Sequence, residues 1–105
     1  MINKKAFEIE EKASEKAQKE IDKITKKNDI DYLVEQYAEA KNEFIMVLRE
    51  VSKRGDLGND KEQYRYYYLK YMEEWLGDMM CNLLLDMHGY ERNKDNLFEK
   101  KKKKR

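Results

Sequence analysis

Proline is absent from all 105 residues, so the strongest helix breaker is missing. One cysteine, Cys81, excludes an intramolecular disulfide and a cysteine-built metal cluster. The four glycines, at 55, 58, 77 and 89, form no phosphate-cradling loop, and three of them fall at predicted helix ends. The one histidine, His88, stands at a helix C-terminus, where an imidazole interacts well with the carbonyl ends. No zinc spacing or nucleophile–base pair accompanies it. The longest apolar stretch, Met79 to Met87, is broken by Asn82 and Asp86 and falls short of the ~20 residues that span a bilayer. Met1-Ile2-Asn3-Lys4-Lys5 leads into charged residues rather than an apolar run, so no signal peptide is expected. These absences predict one cytoplasmic domain.

Charge is abundant. Charged residues make up 43% of the chain, against roughly 25% in an average domain, which predicts long solvated helix faces. The net charge of +1 is unevenly spread. Residues 28–90 hold seven basic and thirteen acidic side chains, whereas 91–105 hold eight basic and three acidic. A mildly acidic body with a cationic tail is not a body that tracks a phosphate backbone. Eighteen lysines against five arginines point to an AT-rich coding sequence, such as a low-GC bacterium or its phage.

The apolar residues recur with a helical period three times. Ala6, Ile9, Ala13, Ala17, Ile21 and Ile24 mark a thin, alanine-rich stripe on a helix over about 4–27. Asn28 with Asp31 reads as a capping box opening a second helix over 29–53. That helix carries Ile30, Leu33, Tyr37, Ala40, Phe44, Val47 and Val51, widened by Val34, Ile45 and Leu48. Lys53-Arg54 and then Gly55 end it. Asp60 with Gln63 reads as the next capping box, for a third helix over 61–88 with the stripe Leu69, Met72, Leu76, Met79, Leu83 and Met87. The fold expected is all-α, three long helices in an antiparallel bundle completed by dimerisation. The block Lys100-Lys101-Lys102-Lys103-Lys104-Arg105 predicts a disordered tail over 91–105, able to touch nucleic acid or another polyanion by phosphate neutralisation.

Helix three is apolar over too wide an arc for one neighbour. Opposite its stripe fall Tyr67, Tyr71, Glu74, Asp78, Cys81 and Leu85, and five tyrosines crowd residues 64–71. Either the helix is central, covered by the other two on separate flanks, or this face meets another chain. Tyrosine, tryptophan and methionine are enriched at interfaces, so Tyr64, Tyr67, Tyr71, Trp75, Cys81 and Leu85 are the candidate interface of a homodimer or a protein partner.

Four acids form two i,i+4 pairs, Glu39 with Glu43 and Glu74 with Asp78. Pairs on facing helices can converge on Mg²⁺, which takes oxygen ligands. The segments Glu39-Ala40-Lys41-Asn42-Glu43-Phe44-Ile45 and Glu73-Glu74-Trp75-Leu76-Gly77-Asp78-Met79-Met80, with the turn at Lys53-Arg54-Gly55, resemble the MazG-like all-α nucleoside triphosphate pyrophosphohydrolases over about residues 22–105. The resemblance implies an Mg²⁺-dependent diphosphate hydrolase, with Glu39, Glu43, Glu74 and Asp78 as ligands. In that family the paired ligands stand three apart, whereas here the positions three before Glu43 and Asp78 hold Ala40 and Trp75. The leading expectation is therefore a non-enzymatic interaction module without a cofactor, a regulator or inhibitor of the kind phages and mobile elements encode. The Mg²⁺ hydrolase and a nucleic-acid accessory protein are the alternatives.

Overall fold

The computed structural model describes residues 4–101. It contains α1 (Lys4–Lys26), α2 (Ile30–Arg54), α3 (Asp60–Met87) and two short strands, β1 (Tyr90–Arg92) and β2 (Phe98–Lys100). Helix occupies 78% of the structure, so the all-α expectation holds.

The helix ends show why the chain turns where it does. Asn28 does not cap α2. It adopts a left-handed conformation (φ 49°) and closes α1, its N–H donating to the Thr25 carbonyl. Asparagine tolerates that conformation better than most residues. The cap falls instead to Asp29, whose carboxylate accepts from the Tyr32 N–H at 3.2 Å. The second predicted box is also displaced by one residue. Asn59 accepts from the Glu62 N–H at 2.9 Å, and the Glu62 carboxylate accepts from the Asn59 N–H in return. Between the helices, Gly55 at φ 84° gives α2 the left-handed end that glycine takes without a Cβ penalty.

Packing makes α3 the central helix. Helices α1 and α2 lie on separate flanks of it and barely touch each other. Ala17, Ile21 and Ile24 of α1 and Leu33 and Ala40 of α2 enclose Met72 and Leu76 of α3, and Leu76 has no exposed surface. Alanine at 13 and 17, both fully buried, lets α1 approach closely. The lower half of the α3 stripe is less covered than its period predicts: Leu83 and Met87 are exposed, because α1 and α2 turn into each other at 27–29 and reach no further.

The tail is where expectation and structure part. Residues 90–100 are not a disordered tail but an antiparallel hairpin, with Tyr90 paired to Lys100 and Arg92 to Phe98. Its loop is built by Asn93, whose side-chain oxygen accepts from the Asp95 and Leu97 N–H groups, and by Asn96 at φ 63°. The Arg92 guanidinium lies 4.5 Å from the Phe98 ring centroid. Lys101 fastens the hairpin to α3, its ammonium 2.8 Å from the Asp86 carboxylate and its N–H donating to the Gly89 carbonyl.

Candidate protein-binding surface

The tyrosine-rich face of α3 is largely used inside the chain. Tyr71 donates its hydroxyl to Glu10 of α1 at 2.6 Å and packs on Trp75 with ring centroids 5.0 Å apart. Tyr66 meets Phe44 of α2 and is met edge-on by Tyr67. Tyr64, Tyr67, Tyr71, Trp75 and Leu85 are all half-buried, and of the six proposed interface residues only Cys81 is exposed. The central-helix alternative therefore accounts for Tyr71, which α1 engages through Glu10, and Trp75 packs against the core cluster beside it.

That hydroxyl contact has a measurable consequence. Donation to the Glu10 carboxylate, then burial, favours the protonated phenol and pushes the Tyr71 pKa up to about 12. A pKa raised on folding stabilises the fold fully below the unfolded value of ~10, and the benefit is lost as pH rises from there towards 12. Spectroscopic titration at the phenolate band should show one tyrosine ionising well after exposed ones, and Tyr71→Phe should remove that late step. Burial raises the Tyr68 pKa as well, so the contact is contradicted only if Tyr71→Phe leaves the number of late-ionising tyrosines unchanged.

The four carboxylates lie in different settings. Glu43 is near enough to Tyr68 to help raise its pKa, after burial and the Glu20 and Tyr64 side chains. Glu74 and Asp78 line a shallow cleft with Tyr37, Glu73, Gly77 and Cys81. In that cleft Glu73 is taken by Lys41 of α2 at 3.2 Å. Among the described residues, no three Asp, Glu, His or Cys side chains gather in a geometry that could hold a metal ion. His88 is exposed at the end of α3. Of the proposed polyanion contacts, Lys100 is exposed and Lys101 is engaged by Asp86, while Lys102, Lys103, Lys104 and Arg105 lie outside the described residues.

What the structure leaves uncovered is a stripe along α2. Ile30, Val34, Ile45 and Leu48 are 47%, 44%, 38% and 41% exposed, although Leu33, Ala40 and Val47 of the same helix are buried. At 3.6 residues per turn, Ile30, Val34, Ala38, Lys41, Ile45 and Leu48 share a face about 80° wide, rotated by about a third of a turn from the buried Leu33, Ala40 and Val47. Lys41 is the one charge on this face, and its ammonium is drawn towards Glu73, which raises its pKa. At its N-terminal end only, Ile30 also lines an open groove with Ile24, Leu33, Met79 and Leu83. Val34, Ile45 and Leu48 were visible in the sequence only as a widening of the core stripe. Periodicity gives the width of an apolar face but not where its neighbour stops.

No helix among the described residues is long and apolar enough to cross a membrane. Comparison with protein-family models, with curated proteins and with solved structures gives no match.

Proposed function

We propose that this chain is a cytoplasmic protein–protein interaction module, a regulator or inhibitor rather than a catalyst, and that its working surface is the outer stripe of α2. One observation carries the reading: four large aliphatic side chains stay exposed in line on a helix whose own core contacts are already complete. Isolated exposed apolar residues are ordinary, but two pairs of them aligned on one helix face, Ile30 with Val34 and Ile45 with Leu48, mark a binding surface. The exposed Leu84 and Met87 at the end of α3 add apolar area of the same kind. Phe7, Met46 and Leu97 are exposed too, but they stand singly, and the long faces of lysine and glutamate around them keep the molecule in solution.

The test is a matched pair of baits, the wild-type chain and the Val34→Glu, Leu48→Glu double variant. Both sites are exposed, so circular dichroism should be unchanged. Any protein retained by the wild type, a second copy included, should be retained roughly tenfold less or worse by the variant, since charge enters an apolar contact. Equal retention by both overturns the assignment of the surface. Mg²⁺-dependent release of pyrophosphate from a nucleoside triphosphate, abolished by Asp78→Asn, overturns the non-catalytic reading.

A further inference from the structure

Resting on that reading, we infer that the occupant of the α2 stripe is α2 of a second copy, laid antiparallel about a two-fold axis. The stripe is close to a palindrome. Measured from the midpoint between Glu39 and Ala40, Val34 and Ile45 are equidistant, as are Ala38 and Lys41, and Ile30 and Leu48 agree to within one residue. A two-fold interface brings one patch against itself and so requires such self-complementarity. Reversal sets Val34 on the second copy's Ile45 and Ile30 on its Leu48. Alanine at 38 leaves room beside the axis for the aliphatic stem of Lys41, whose head is held off by Glu73 of its own chain.

Charge selects the same orientation. On the outward flank of the stripe, Asp31 and Glu35 occupy the N-terminal half and Arg49 and Lys53 the C-terminal half. Antiparallel pairing sets Asp31 of each copy beside Arg49 of the other, in register to within one residue, while Glu35 falls opposite Phe44 and Lys53 reaches past the start of the other α2. Parallel pairing would set like charges together. The stripe spans residues 30–48, about 27 Å of helix, long enough for a coiled-coil-like seam.

Light scattering on the full chain should give twice the mass of one copy, and Val34→Glu should halve it. Orientation is read by disulfide trapping in protein that also carries Cys81→Ser. Val34→Cys chains mixed with Ile45→Cys chains should cross-link to each other on oxidation. Neither should cross-link alone, because like positions lie about 16 Å apart along the paired helices, beyond disulfide reach. Asp31→Arg should weaken the dimer, and adding Arg49→Asp should restore it. A single-copy mass at every concentration overturns the inference, as do cross-links between like positions. Loss of some other bound protein on Val34→Glu, in a chain that stays monomeric, would overturn this inference alone and leave the α2 surface assigned to that protein.

Discussion

Replacing Leu76 with alanine is expected to lower the unfolding free energy by about 3 kcal/mol, in the middle of the range for such truncations. Leu76 is fully buried and lies in the cluster to which both flanking helices contribute. The cavity left there has walls on three helices, and none can collapse into it without shifting the other two. A domain of this size is stable by only about 5–15 kcal/mol, so the loss should move a urea midpoint far to the left with little change in slope. A loss under about 1 kcal/mol would mean that α3 is not held between its neighbours as described.

Ala17→Leu is expected to destabilise by about 1–3 kcal/mol, although it adds apolar volume. Ala17 has no exposed surface on the thin face of α1, and three extra carbons there force α1 away from α3. Displacement of α1 also separates Glu10 from Tyr71, so the late-ionising phenol should move back towards ordinary tyrosine behaviour. Lys19→Leu, at an exposed position of the same helix, should change stability by less than about 0.5 kcal/mol. If Ala17→Leu proves neutral and leaves the Tyr71 titration intact, the close approach of α1 is wrong.

The three helices were legible because period, composition and end signals agreed. Each helix end came out within one residue of its predicted place at Lys26, Arg54 and Met87. The caps were displaced because the sequence offers adjacent candidates, Asn28 with Asp29 and Asn59 with Asp60. Backbone geometry, not residue type, decides between them. The hairpin was hidden by the lysine run beside it. Its cues are local: Asn93, Asp95 and Asn96 as turn formers, and Arg92 placed to cover Phe98. Residues on α3 posed a choice between a flanking helix and another chain, and only tertiary placement gives Tyr71 to α1. The exposed α2 stripe was least legible, since nothing local distinguishes Val34 or Leu48 from a core position.

The central place of α3 orders events during synthesis. Helix α1 is synthesised before its main partner α3, with the whole of α2 between them. At ~5–20 residues per second, several seconds separate the two. Through that interval α1 has no core to join, and its contacts with α2 are too few to hold it. A strongly apolar face would be exposed to every passing chain. The sparse alanine stripe offers little such surface, and its counterpart is the tight fit of Ala13 and Ala17 in the finished fold.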